Sequence, residues 1–269
     1  VPKLPAAPPT IFNRCNLSPW VIGDREFQDH PQPLDILGVR QADRRLFQRL
    51  ATIADPEQRG QVFHDYVSVK FQLHEWAEHR NSARSSIRSS YIQFLRHWGV
   101  DSNGHAGAVL KSWVESRFGL PPTFHGGRIE ADNDARHRYE CDRLRGAAKT
   151  VGALMQLDLL YTFCQDELPR RFPGEHWRTL YRGTHDPEEY AIRNAVTPEP
   201  KTTCVQLNNL SSFTADREIA WEFGSSVWEV PVPVQKIVFF SGLLPRHLLE
   251  GESEYLVLGG EYRMKPLLY

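Results

Sequence analysis

The chain changes its hydrophobic period near Pro173-Gly174, and that change constrains its fold more than any other feature. Before this point, apolar residues recur at spacings of three and four, as on the buried stripe of a helix. After it, short apolar runs alternate with turn residues, as in strands. Helices followed by strands predict the α+β class, with a helical N-terminal region packed on a mainly antiparallel C-terminal part.

The periodicity predicts particular elements. Leu46, Leu50 and Ile53 mark a helix over residues 41–54, ended by Asp55-Pro56, where Asp55 can cap the next helix. Val62, Tyr66, Val69, Leu73 and Trp76 mark the apolar face of that second helix. Ile87, Tyr91, Phe94, Leu95 and Trp98 mark a third, stopped by Gly99, and residues 109–118 a fourth, stopped by Gly119. Residues 129–145 are highly charged and predict a surface helix. Leu154, Leu157, Leu160, Tyr161 and Cys164 predict a buried one, with Pro169 and Pro173-Gly174 breaking the chain after it. Turn residues predict irregular chain over residues 10–40, anchored by Phe12, Trp20 and Phe27. Strands are expected at 177–181, 203–207, 227–234, 237–240, 255–258 and 262–268, with Gly259-Gly260 closing the run that begins at Tyr255. Two parts follow: 1–125, mainly helical with an irregular proline-rich leader, and 126–269, which can also pack on the first as one unit.

Several function classes are disfavoured. The net charge of −1 provides no strong field for nucleic acid or an anionic membrane. No apolar run is long enough for a transmembrane helix. The four cysteines show no Cys-x-x-Cys spacing, which predicts reduced thiols and a cytoplasmic location. His74 and His79 are spaced wrongly for one helical face, so no metal site is expected.

Three polar pieces carry candidate chemistry. Arg182-Gly183 ends a strand; an arginine fork can grip a phosphate, and a glycine lets backbone N–H groups approach a ligand. Ser211-Ser212-Phe213-Thr214-Ala215-Asp216 alternates hydroxyls as on a strand, and Asp216 can cap a short helix through Ile219, Ala220 and Phe223. Glu252-Ser253-Glu254 precedes a strand and presents two carboxylates to one side of an extended chain. Such a pair suits chemistry in which positive charge develops on a sugar, one carboxylate stabilising it and the other handling a proton or cationic acceptor. Taken singly, each piece also reads as solvated surface.

In this order the three pieces resemble the arginine-specific mono-ADP-ribosyltransferase family. That family has an arginine on a first strand, a Ser-Thr-Ser strand, and Glu-x-Glu running into a strand. The resemblance covers the C-terminal third, and the departure is Phe213-Thr214 where the family has Thr-Ser. It implies an ADP-ribosyltransferase-type mixed β-sandwich as the catalytic, NAD-binding core within 126–269, NAD as co-substrate and no metal. Glu254, Glu252 and Ser212 would be catalytic. Arg182, Gly183, Ser212, Thr214 and Phe223 would bind NAD. Glu254 would stabilise the ribose charge, Glu252 would receive the acceptor guanidinium, and Arg182 would hold the diphosphate. Trp221, Phe223, Trp228 or Phe240 would flank the nicotinamide, and residues 243–251 would face the protein substrate.

The helical front half, the opening Phe12-Asn13-Arg14-Cys15-Asn16 and residues 180–185 are similar to the branch of that family that modifies dinitrogenase reductase, the nitrogenase iron protein. That similarity implies transfer of ADP-ribose to an arginine of this protein, inactivating it and regulating nitrogen fixation. It also admits a nitrogen-status regulator of the PII type as a further partner. An NAD glycohydrolase, a transferase for another acceptor, and a non-catalytic protein-binding module are the rival readings. Arg80, Arg84 and Arg88, if helical, form a basic stripe that reads either as solvated surface or as a dock for an acidic partner.

Overall fold

The computed structural model describes residues 13–73, 90–148, 152–185, 202–245, 248 and 254–267. Expectations for Phe12, Trp76, Ile87, the arginine stripe at 80–88 and Glu252 lie outside the described residues.

The α+β class holds. Short helices α1 (Pro19–Gly23), α2 (Glu26–Asp29) and α3 (Val39–Ala42) lead into α4 (Arg44–Ala51) and α5 (Pro56–Lys70). Then come α6 (Tyr91–Val100), α7 (His105–Phe118), α8 (Asp134–Ala147) and α9 (Ala153–Arg171). Strands β1 (Trp177–Thr184), β2 (Thr203–Thr214), β3 (Ser226–Pro233), β4 (Ile237–Phe240) and β5 (Glu254–Leu267) form one sheet, with α10 (Arg217–Glu222) between β2 and β3.

All described strand pairings are antiparallel, in line with the mainly antiparallel C-terminal part read from the sequence. β5 is the spine. It pairs with β2 from Thr203 opposite Met264 to Thr214 opposite Glu254, with β4 near its start, and with β3 near its end. β3 pairs with β1 along the whole of both strands, and β1 meets β2 at Tyr181 opposite Thr214. The pairings therefore close on themselves.

Gly259-Gly260 does not close a strand; β5 runs through it. A Cβ at Gly259 would stand 1.7 Å from the Asn208 carbonyl oxygen, where the β2–β5 register shifts between Leu207 and Leu210. Gly260, at φ 113°, lies against the Gly23 backbone. The two glycines mark close backbone approach and a bulge rather than a turn. At that bulge, Asn209 Nδ2 donates to the Lys111 and Leu120 carbonyls at 2.8 Å each, and Asn208 Nδ2 donates to the Phe124 carbonyl at 2.9 Å. The irregular point of the sheet is thus its seam to α7 and the loop beyond it.

The helices follow the sequence with local corrections. Asp55 caps α5 by accepting the Gln58 N–H at 2.8 Å, and Gly119, at φ 69°, ends α7. α6 runs one residue past Gly99. Phe27 is buried as expected, but Trp20 is 52% exposed. The buried face of α5 is Arg59, Gly60, Phe63 and Val67, while Val69 is 67% exposed. Phe63 stacks on Phe163 of α9 at 4.3 Å, and Arg59 makes a two-point ion pair with Glu167 at 2.5 and 2.9 Å. A buried arginine on the inward stripe rotates the helix away from the face that hydrophobicity alone selects. α9 continues through Pro169 to Arg171, so this proline, expected to break the chain, does not break the helix. Pro173-Gly174 then stops it, Gly174 having φ 81°.

One continuous apolar core joins the layers, with Phe63, Trp113 and Leu160 from the helices and Val230, Leu256 and Met264 from the sheet. Inside it, Asp158 of α9 accepts from Trp113 Nε1 at 2.8 Å and from Arg117 at 2.7 and 2.9 Å, locking α7 to α9. The four cysteines are free thiols. Among the described residues, no helix is long and apolar enough to cross a membrane.

Lys236 is fully buried beneath Tyr262 and Phe27, with one bond from Nζ to the Gly259 carbonyl at 3.3 Å. Burial lowers its pKa from 10.5 to about 7. Between these values the unfolded chain binds more protons than the folded one, so this group makes stability rise with pH across that window. Lys236→Met is expected to raise stability at pH 7, because it removes a buried amine that must be desolvated. It should also shrink the gain between pH 7 and pH 9, as read from urea midpoints across that range.

Candidate active site

A cavity of about 340 Å³ opens where α6, β1, β2, α10 and the start of β5 meet. Its making begins at the turn after β2. Thr214 Oγ1 accepts the Asp216 N–H at 3.1 Å, and Asp216 Oδ1 accepts the Glu218 and Ile219 N–H groups at 2.8 and 3.4 Å. These bonds cap α10 and set its direction. α10 is then pressed onto β1 by glycines. A Cβ at Gly183 would lie 2.1 Å from the Ala220 carbonyl oxygen, and one at Gly224 would lie 2.3 Å from the Thr184 nitrogen. No side chain fits at either position, so bare β1 backbone forms that wall.

Arg182 projects from β1 beside Gly183. Its Nη1 donates to the Ser212 carbonyl at 2.7 Å, and its guanidinium stands 5.9 Å from the centre of the Phe213 ring. It ties β1 to β2 close to the Tyr181–Thr214 pairing. A planar guanidinium also suits this place chemically, because its fork can meet a phosphate as well as a carbonyl.

Glu254 opens β5 opposite Thr214, and this register carries its side chain to Ser212. Ser212 Oγ donates to Glu254 Oε1 at 2.9 Å. Trp98 of α6 donates its indole N–H to the same Ser212 Oγ at 2.7 Å. Gly99 lies beside the other carboxylate oxygen, a Cβ there standing 3.8 Å from Oε2. Behind this wall, Lys111 Nζ is 5.9 Å from the Trp98 ring centre and donates to the Phe124 carbonyl at 3.1 Å. Burial lowers the Lys111 pKa to about 8 and also lowers that of its neighbour His125.

Arg182, Gly183, Ser212, Thr214, Phe223 and Glu254 all line this one cavity. Glu252 lies outside the described residues. Of the four aromatic candidates, Phe223 lines the cavity and is 53% exposed at its rim, whereas Trp228 and Phe240 are buried. Thr214 is buried, and its hydroxyl serves the turn to α10. Sequence reasoning missed Trp98, Gly99, Val100 and Ser102, which form the wall from the helical side. Apolar spacing identifies Trp98 as buried but says nothing of where its N–H points.

Residues 242–245 and 248 are gripped from the helices. Gly60 of α5 lies under Leu243 and Pro245, a Cβ there meeting each at 3.1 Å. Arg171 donates to the Gly242 carbonyl at 2.6 Å, and Arg96 of α6 donates to the Leu248 carbonyl at 2.6 and 3.1 Å. A cleft with a hydroxyl-held carboxylate on one strand and an arginine and bare backbone on another can bind a phosphorylated sugar. It can also stabilise positive charge at that sugar's reacting carbon.

Gly183→Ala is expected to force α10 off β1. Overpacking of this kind costs on the order of 1–3 kcal/mol. A lowered urea midpoint would show it; an unchanged midpoint would mean that the two elements separate freely.

A family model described as dinitrogenase reductase ADP-ribosyltransferase (DRAT) matches residues 12–266. A curated relative, the NAD(+)–dinitrogen-reductase ADP-D-ribosyltransferase of Rhodospirillum rubrum, is 41% identical over 259 residues, covering 94% of this chain and 93% of the relative. No solved structure matches.

Proposed function

Because the chain belongs to the dinitrogenase reductase ADP-ribosyltransferase family, we propose that it transfers ADP-ribose from NAD to an arginine of dinitrogenase reductase. The modification inactivates that protein and so regulates nitrogen fixation. The observation that carries the reading to particular atoms is the Ser212–Glu254 bond of 2.9 Å in a cleft faced by Arg182 and Gly183.

The residues divide the work. Arg182 holds the NAD diphosphate, and Gly183 brings its backbone to the nicotinamide amide. Phe223 covers the nicotinamide at the rim, with Thr214 and Ser212 lining the ribose. The bond between the ribose carbon and the nicotinamide nitrogen breaks, its electron pair leaving with nicotinamide. Glu254, held by Ser212, stabilises the positive charge that develops on the ribose. The acceptor guanidinium is a poor nucleophile while charged. Glu252 takes a proton from it as the new carbon–nitrogen bond forms, a role assigned by resemblance. No step needs a metal. The self-closing antiparallel sheet is, in this reading, an ADP-ribosyltransferase-type core within residues 126–269. The helical region 1–125 completes the unit, which works in the cytoplasm and answers to a PII-type regulator.

The test is incubation with labelled NAD and dinitrogenase reductase, followed by mapping of the label. Label on an arginine supports the proposal. Free ADP-ribose alone would make the protein a glycohydrolase, and no NAD turnover would leave a binding module. Glu254→Gln keeps a hydrogen bond but removes the charge. It is expected to lower kcat for both transfer and NAD hydrolysis by roughly 10²–10³, the usual effect of one electrostatic group, with little change in NAD affinity. Glu252→Gln should abolish transfer yet leave measurable hydrolysis. Equal loss of both activities in that variant would give Glu252 a shared or structural part.

A further inference from the structure

The helical side of the cleft supplies a side chain that reaches the reacting carboxylate through one intermediary. Trp98 sits on α6 and is only 4% exposed. Its indole N–H can donate but never accept. Ser212 has a single hydroxyl proton, and its oxygen accepts from Trp98 at 2.7 Å. That proton goes to Glu254 Oε1, 2.9 Å away. The direction of the chain is therefore fixed, from Trp98 through Ser212 to Glu254. Donation to an ionised carboxylate favours its charged form, and successive bonds of this kind polarise one another. Without the indole, the hydroxyl oxygen loses the donor that helps fix its orientation.

The same helix also meets the carboxylate on its other side: Gly99 follows Trp98, and a Cβ there would stand 3.8 Å from Oε2, in ordinary contact. We infer that Trp98 is a positioning residue for the transfer, acting through Ser212 to hold the Glu254 carboxylate in the orientation the reaction requires. The inference rests on the transferase reading above. It gives the helical front region a direct part in catalysis, beyond any contact with partner proteins.

The test uses Trp98→Phe in the full chain, which keeps an aromatic ring and removes the N–H. NAD hydrolysis is expected to fall roughly tenfold in kcat, less than for loss of a direct donor, with KM for NAD little changed. In a Ser212→Ala background the same substitution should have no further effect, because the relay is already cut. If Trp98→Phe instead slows both backgrounds by the same factor, Trp98 acts by packing and the inference is overturned. A second measurement reads the contact without activity. In protein labelled with ¹⁵N-tryptophan, the indole signal missing from Trp98→Phe belongs to Trp98. That signal should shift in Ser212→Ala and again in Glu254→Gln. A wild-type protein that turns over no NAD would sink the transferase reading and, with it, the catalytic meaning of the contact. An active wild type whose Trp98 signal ignores both substitutions would sink the inference alone.

Discussion

The register between β2 and β5 is the constraint on which the cleft depends. Thr214 stands opposite Glu254 at one end of the pairing, and Thr203 opposite Met264 at the other. Side chains alternate along a strand, so a slip of one residue would turn Glu254 from Ser212 to the opposite face. The pairing is pinned between its ends by the shift at Leu207 and Leu210. There Gly259 admits the Asn208 carbonyl to a place no Cβ could share. Asn209 then fastens the irregularity to the Lys111 and Leu120 carbonyls. A bulge can occupy only one position in a ladder, and this one also meets a fixed helix, so it sets the register of the whole strand pair.

The helices are held to one another by a few buried charges as well as by the core. Asp158 receives three donors from Trp113 and Arg117, and Glu167 receives Arg59 and Arg171. Removing one partner of a buried pair costs about 3–5 kcal/mol, because the other charge is left without compensation. Exposed pairs such as Arg143–Glu140 contribute ~0–1 kcal/mol. The buried group therefore decides how α5, α7 and α9 stack. The same stack delivers α6 to the cleft, with Tyr91 N–H bonded to Gln156 of α9 at 2.8 Å.

Much of this was legible in the sequence where local chemistry decides. Asp55 and Asp216 cap helices because their oxygens meet free N–H groups two or three residues on. Gly119 ends α7 because it adopts the left-handed conformation. The order of Arg182, Ser212 and Glu254 along the chain was readable as one constellation, and all three line one cavity. The failures arise where tertiary contacts outweigh local pattern. Gly259-Gly260 looks like a turn, yet it is the crossing point of two backbones. Val69 reads as part of the buried face of α5, yet the Arg59–Glu167 pair and Phe63 turn another face inward and leave it exposed. Trp98 looks like core, and only its distance to Ser212 reveals the donor.

The helical region is consequently more than a platform for the sheet. α6 meets the C-terminal part at residues two apart. Trp98 reaches Ser212 at 2.7 Å, and Arg96 reaches the Leu248 carbonyl at 2.6 Å in the segment that leads towards Glu252. A hydrogen bond stretched by about 1 Å is effectively lost. Both contacts therefore require α6 to keep one position relative to β2 and to Leu248. In the proposed reaction, the first contact acts on the ribose side, while the second holds the segment assigned to the protein acceptor. One rigid helix thus gives the two halves of the transfer a common frame, which a strand core alone, with the Leu248 segment hanging from its edge, would not provide.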